Sequence, residues 1–148
     1  MTERKMYIFE YTSELSDLQE QEYEGYERIQ QHKKRICETE TISLQDYYWT
    51  TKIAYRENNK VQIKMSRVLI SGLKNKTADQ LHKELLNAKE DLEQLEEELD
   101  EIDDLEEDEL RDYDFDSLEE YQDHLEELED NIFLLKGDIA LMEKLLKK

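Results

Sequence analysis

The stretch "LEQLEEELDEIDDLEEDELRDYDFDSLEEYQDHLEELED", Leu92–Asp130, decides how the second half of this chain folds. Its apolar residues recur in steps of three and four, the spacing that places side chains on one face of an α-helix. Arg111 is its one lysine or arginine, and acidic residues fill most of the other positions. The pattern therefore predicts helices with one apolar face and one strongly acidic face.

The apolar stripe continues on both sides of this stretch. Capping-box spacings at Thr77 and Ser117 mark two helix starts. Two stripes of similar length with no proline between them predict a long antiparallel acidic helical hairpin, coiled-coil-like, with helices near 78–108 and 117–147. The predicted stripe consists of Leu81, Leu85, Ala88, Leu92, Leu95, Leu99, Ile102, Leu118, Tyr121, Leu125, Leu128, Ile132, Leu135, Ile139, Met142 and Leu146.

The first half of the chain shows shorter patterns. "KMYIFEY", from Lys5, alternates as a strand does, and "YYWTTKIAYRENNKVQIKMSRVLIS" predicts a β-hairpin near 47–71 with "ENNK" as its turn. Between them, the segment from Ser13 to Ile36 predicts one helix with Leu15, Leu18, Tyr26, Ile29 and Ile36 on its buried stripe. The predicted fold class is therefore α+β: a small N-terminal β-sheet with one helix, followed by the helical hairpin.

Charge divides the chain at the same place. Residues 1–76 hold 13 Lys/Arg and 12 Asp/Glu, whereas residues 77–148 hold 7 against 28, so the halves differ sharply in character. Between them "SGLKNKT", with Gly72, interrupts the apolar pattern. We therefore expect a small α+β unit over 1–76 and the acidic helical hairpin over 77–148.

The sequence offers little that is typical of an enzyme. It has no glycine-rich phosphate loop and no nucleophile elbow, and Cys37 is its single cysteine. His32, His82 and His124 are too scattered to predict a metal site. Asp112, Asp114 and Asp116 resemble the opening of a calcium loop, but a serine follows where an EF-hand needs glycine. We expect no catalytic residue, no cofactor and no metal.

Location is predicted from what the sequence lacks. No run of about 18 apolar residues is present, which argues against a membrane span. The start of the chain does not resemble a secretion signal, and a single cysteine favours a reducing compartment. We therefore expect a cytoplasmic protein without a membrane partner.

The acidic stretch is as densely charged as a nucleic acid. Glu90–Asp130 contains 24 Asp/Glu and one Arg. If the first helix bends back near residue 108, these charges occupy ~28 Å of helix axis, or about one per 1.2 Å, against about one per 1.7 Å in duplex DNA. Ordinary exposed helices mix acidic and basic residues four apart, because such pairs stabilise the helix. The density favours a DNA-mimic role.

The size and charge of the chain resemble those of small acidic inhibitors that phages make against restriction or CRISPR nucleases. The resemblance implies a non-enzymatic inhibitor that occludes the basic nucleic-acid-binding surface of a partner protein. The residues expected to bind that partner are Glu93, Glu96, Glu97, Asp100, Glu101, Asp103, Asp104, Glu107, Asp108, Asp112, Asp114, Asp116, Glu119, Glu120 and Asp123.

Two other interpretations involve the first half of the chain. Aromatic and basic residues of the β-hairpin, such as Trp49 and Lys52, could form a nucleic-acid-binding face, but strand alternation explains them as core and surface. A net charge of −20 also repels phosphates, so no direct nucleic-acid binding is expected. The helix, β-hairpin and helix order from Ser13 to Asp108 resembles a prefoldin subunit, which implies an alternative function as a coiled-coil assembly, adaptor or chaperone protein. A homodimer is compatible with either function.

Overall fold

In a computed structural model, which describes residues 3–147, the chain has the predicted α+β fold and forms two compact units, Met1–Asn75 and Lys76–Lys148. A three-stranded sheet, one long helix and one short helix make up the first unit, and two long helices make up most of the second. The elements are β1 (Arg4–Thr12), α1 (Leu18–Glu40), β2 (Tyr47–Tyr55), β3 (Lys60–Leu69), α2 (Ile70–Lys74), α3 (Ala78–Ile102) and α4 (Leu118–Leu146).

The sheet is antiparallel, with β3 between β1 and β2. Phe9 and Ile53 both pair with Ile63, so alternate side chains of all three strands share one face. That face packs on α1 and forms the core of the unit. The "ENNK" turn is confirmed: Asn58 and Asn59 adopt positive φ angles of 61° and 58°, which asparagine tolerates better than most residues. The core consists of Ile29, Ile36, Ile63 and Met65 with Tyr7, Phe9, Tyr11, Ile42, Trp49 and Ile53.

The helix of the first unit starts later than predicted. The side chain of Asp17 accepts a hydrogen bond from the backbone N–H of Gln19, so α1 begins at Leu18. Leu18 and Tyr26, which we placed on the buried stripe, are 62% and 53% exposed. Gln21 and Gly25, together with the isoleucines of α1, form the buried face instead. The prediction was wrong here because it followed the apolar residues alone. The face that packs on the sheet follows a four-residue step from Gln21 through Gly25 to Ile29.

The helices of the second unit pack against one another as an antiparallel pair. Glu98 lies 3.1 Å from His124, and Lys89 forms an ion pair with Glu143, so the end of α3 meets the start of α4. The predicted stripe is buried or half-buried along both helices, apart from Leu118, which is 47% exposed at the first position of α4. Coiled-coil packing of the pair stays a prediction.

The first long helix ends six residues earlier than predicted. α3 stops at Ile102, Asp104 takes a positive φ of 63°, and a short 3₁₀ helix follows over Glu107–Tyr113. Acidic side chains at a helix C-terminus oppose the macrodipole, and no basic residue occupies the last turn of α3 to offset them.

Both predicted N-caps are confirmed, since Thr77 and Ser117 accept hydrogen bonds from the backbone N–H groups three residues on.

Candidate partner-binding surface

The segment between α3 and α4, residues 103–117, is here called the acidic tip. Leu110 is buried within it, and Phe115 is half-buried. These two side chains pack with the adjoining turns of the helices, so the tip has a small core of its own. That core consists of buried Ile102, Leu110, Tyr121 and Leu128 with Leu95, Leu99, Leu105, Phe115 and Leu125 packed around them.

Tyr121 fixes the start of the tip. Its hydroxyl donates a hydrogen bond to the carbonyl oxygen of Ile102 and accepts one from the backbone N–H of Leu105, at 3.2 Å. Its ring meets that of Phe115 edge-on, with the centroids 5.2 Å apart. The N–H of Phe115 in turn donates to the carbonyl of Leu110 at 3.0 Å. The acidic tip is therefore held in one backbone arrangement by apolar packing and specific hydrogen bonds.

All fifteen predicted partner-binding residues are exposed. They extend from the last three turns of α3, across the acidic tip, to the first two turns of α4. Because the helices are antiparallel, these segments lie together at one end of the pair. Within the described part of the chain, none of the fifteen carboxylates forms an ion pair with a lysine or arginine. The carboxylate of Glu120 has a partner within the chain, since it accepts a hydrogen bond from the backbone N–H of Asp116 at 3.1 Å.

Two acidic residues belong to this surface although the sequence analysis omitted them. Glu106 precedes the 3₁₀ helix as its N-cap and Glu109 lies in its first turn, and one oxygen from each falls within 4.8 Å of an oxygen of Asp108. Both residues belong to the acidic run that the sequence shows, but they were left out of the predicted partner-binding residues. An ionised carboxylate can only accept hydrogen bonds. Its two oxygens can accept two parallel N–H hydrogen bonds from one arginine guanidinium.

The first unit holds a buried ionic cluster around Arg67. This side chain is 5% exposed and donates to the Tyr7 hydroxyl at 2.9 Å, to Glu3 at 2.8 Å and to Glu40 at 3.2 Å. Its guanidinium also lies 4.2 Å from the centre of the Tyr47 ring. Tyr7 donates to Glu40, and burial together with that bond raises the pKa of Tyr7 to about 12. Each nitrogen of the Arg67 guanidinium has an acceptor within the first unit, which indicates a structural role.

Trp49 of the β-hairpin also makes structural contacts. Trp49 packs against the core and donates a hydrogen bond from its indole nitrogen to the carbonyl of Leu44 at 3.2 Å. His32 stacks on Phe9 with the ring centroids 3.8 Å apart. Burial, followed by Arg35 and Arg28, lowers the pKa of His32. In the β-hairpin, the contacts of Trp49 support the interpretation of this residue as core rather than as part of a nucleic-acid-binding face.

Comparison of the chain with protein-family models, curated proteins and solved structures gave no match. Among residues 3–147, no helix combines the length and apolar character needed to cross a membrane. The functional proposal therefore depends on the chain's own geometry. Its main feature is the exposed acidic surface at one end of the α3–α4 pair.

Proposed function

We propose that this chain is a non-enzymatic inhibitor or regulator that binds a basic nucleic-acid-binding protein. Its acidic surface takes the place of a phosphate backbone and occludes the partner's nucleic-acid site, as expected of an anti-CRISPR or anti-restriction-like protein directed at a host nuclease. One observation carries the proposal: fifteen exposed carboxylates surround one end of the helix pair, and none of them is paired with a lysine or arginine within the described residues.

Ordinary surface solubility does not require this arrangement. Like charges on neighbouring helical turns destabilise a helix by a few tenths of a kcal/mol per pair, whereas alternating signs would stabilise it. A surface that keeps many such repulsive pairs is less stable than it could be. Repulsive pairs that recur in one place are expected at functional sites, because the cations of a partner would remove the repulsion on binding.

The rigid tip supports binding in a second way. A flexible acidic loop would lose conformational entropy when it became ordered on the partner, which weakens binding. The core around Leu110 and Tyr121 has already ordered the acidic tip in the free protein. The backbone that carries these carboxylates therefore needs less ordering when the partner binds.

The test compares two variants with the same change in net charge. The first variant is called the tip variant and changes six carboxylates to amides, four in the last turns of α3 and two at the start of the acidic tip: Glu96, Glu97, Asp100, Glu101, Asp103 and Asp104. In the control variant, six exposed acids of the first unit become amides: Glu14, Glu20, Glu27, Glu38, Asp46 and Glu57. Each protein is immobilised, exposed to a bacterial lysate, and washed with duplex DNA or with increasing salt.

We expect parent and control variant to retain nucleic-acid-binding proteins that duplex DNA displaces and that salt releases, because ionic contacts are screened. The tip variant should retain much less of them. Equal retention by all three proteins, or retention that DNA does not reduce, would overturn the proposal. A large discrete oligomer in light scattering would favour the assembly function instead.

A further inference from the structure

A groove lined by both acidic and apolar residues opens on the acidic tip. Leu110 and Phe115 line it from within the tip, and Leu118 lines it from the first turn of α4. Leu118 is 47% exposed, although the stripe pattern predicted its burial. The groove has a volume of about 770 Å³, which accommodates a whole side chain with space remaining. Exposed Leu118 therefore lies beside half-buried Phe115, over buried Leu110, within an acidic surface.

Carboxylates surround this apolar floor. Glu107, Asp108 and Asp116 line the same groove, and all three are exposed. A ligand that fits must therefore combine positive charge with a hydrocarbon portion. A hydrated divalent cation prefers oxygen ligands throughout and gains nothing from leucine and phenylalanine. A neutral apolar side chain would leave the carboxylates without a counter-charge.

Of the two long basic side chains, arginine fits this surface better. Its hydrocarbon stem packs along apolar groups while its charged end reaches the rim. Its guanidinium is weakly hydrated, stacks on aromatic rings and pairs with a carboxylate through two parallel hydrogen bonds. A lysine ammonium is strongly hydrated and makes point contacts, so it gains less from the apolar floor.

The chain's own Arg111 also lines the groove. It is exposed and is the one lysine or arginine between Glu90 and Asp130. Its guanidinium lowers the negative potential where an incoming cation would bind. Removing it should therefore strengthen binding in this groove more than removing a lysine elsewhere on the same helix pair.

We infer that the groove bounded by Leu110, Phe115 and Leu118 receives an arginine side chain of the partner, with Glu107, Asp108 and Asp116 pairing its guanidinium. This inference rests on the proposed function and adds to it. General acidity would attract any polycation, whereas the groove selects arginine over lysine. The selected partner would therefore present arginine at the centre of its basic surface.

The experiment uses the full chain and two labelled peptides, octaarginine and octalysine, with binding followed by fluorescence anisotropy. The key variant is Leu118→Ala, and its matched control is Leu86→Ala, because Leu86 is 60% exposed on α3 and lies outside the groove. Neither substitution changes the charge, and circular dichroism confirms that both variants fold. The tip variant with six amides is measured alongside them.

We expect the parent to bind octaarginine more tightly than octalysine, and Leu118→Ala to weaken octaarginine binding by about threefold to tenfold, the effect of losing a few buried methylene contacts. Octalysine binding and the Leu86→Ala variant should change little. Arg111→Gln should tighten octaarginine binding more than Lys83→Gln does, although both remove one positive charge from the second unit.

Two outcomes separate this inference from the proposed function. Equal affinity for both peptides with no effect of Leu118→Ala would overturn the arginine groove, even if the tip variant loses both peptides. Unchanged binding of both peptides by the tip variant would instead remove the basis of the proposed function, and the groove inference would fail with it.

Discussion

Tyr121 and Ile102 are joined by a hydrogen bond from the tyrosine hydroxyl to the main-chain carbonyl oxygen of Ile102. The same hydroxyl accepts a hydrogen bond from the N–H of Leu105. The carbonyls of a helix's last turn have no partner within the helix, and the acidic residues that follow α3 make its end less favourable still. One buried side chain of α4 therefore stabilises the end of α3 and the start of the acidic tip.

Tyr121→Phe should loosen the acidic tip without unfolding the helix pair. The ring can stay in place, but Ile102 and Leu105 lose a partner, which costs about 1–3 kcal/mol for buried groups. Hydrogen exchange at the Leu105 amide should accelerate, and the free energy of unfolding in urea should fall. Tyr113→Phe is the control, because Tyr113 is exposed on the tip. Equal exchange rates in all three proteins would contradict this role for Tyr121.

Salt should stabilise the α3–α4 pair. The Debye length shortens from about 10 Å at 0.1 M salt to about 3 Å at 1 M, so repulsion between neighbouring carboxylates is screened. We expect hydrogen exchange in α3 and α4 to slow as sodium chloride is added to the parent. In the six-amide tip variant, exchange should start slower and respond less to salt. A salt response equal to the parent's would show that these acids are not a source of repulsion.

Tyr7 should make the protein sensitive to alkali. In the unfolded chain its hydroxyl ionises at the ordinary pKa of 10.0, whereas burial and the bond to Glu40 raise the pKa to about 12 in the folded protein. Between these values the unfolded state loses the proton first, so stability present below pH 10 is lost as pH rises toward 12. The drop in unfolding free energy over this range should be smaller in Tyr7→Phe.

At neutral pH, Tyr7→Phe should itself cost about 1–3 kcal/mol, because the buried guanidinium of Arg67 loses an acceptor. Urea unfolding at pH 8 and at pH 10.5 separates the two effects. Tyr11 and Tyr55, whose pKa values are also raised by burial, are present in both proteins and act as an internal control. An identical pH dependence in parent and variant would rule out the contribution from Tyr7.

His32 should titrate below the ordinary histidine pKa of 6.5, because stacking on Phe9 buries its ring and Arg35 and Arg28 add positive charge nearby. The unfolded chain takes up a proton near pH 6.5 while the folded chain does not, so stability falls as pH decreases through that value. An NMR titration of the His32 ring protons measures the midpoint. Phe9→Leu should move it back toward 6.5, and a parent midpoint at or above 6.5 would contradict the burial argument.

Gly25 allows α1 to lie close to the sheet. A Cβ atom at this position would lie 2.9 Å from Cδ1 of Ile53, the flexible end of that side chain. Gly25→Ala should therefore be nearly neutral, since a gain in helix propensity of about 1 kcal/mol offsets a small shift of Ile53. Gly25→Leu should destabilise the unit by about 1–3 kcal/mol through overpacking. Urea unfolding of both variants tests the contrast, which a stable Gly25→Leu would contradict.

Local pattern was enough to predict the three strands and the three long helices, but not α2, which begins at Ile70 where the β-hairpin was predicted to continue to residue 71. The caps at Thr77 and Ser117, the stripe from Leu81 to Leu146 and the strand alternation around Ile63 each involve residues close in sequence. Their spacing matches the period of a helix or a strand directly. The α+β class and the exposure of the acidic residues followed from that spacing, because charged side chains fill the positions that the stripe leaves open.

The details that shape the candidate site depend on contacts between distant residues. The end of α3 at Ile102 depends on a hydroxyl from Tyr121, and the groove exists because Leu110 and Phe115 fold back onto the helix pair. In the first unit, Arg67 is buried only because residues from β1 and α1 converge on it.

By itself, then, the sequence determined the helices, the strands and the acidic character of one end, since backbone geometry repeats over a few residues. Only the tertiary structure decided where α3 stops, which carboxylates share the acidic tip and which apolar side chains remain open there. Those features depend on contacts between segments such as the end of α3 and the start of α4, where Ile102 and Tyr121 are 19 residues apart, and no local period records such contacts.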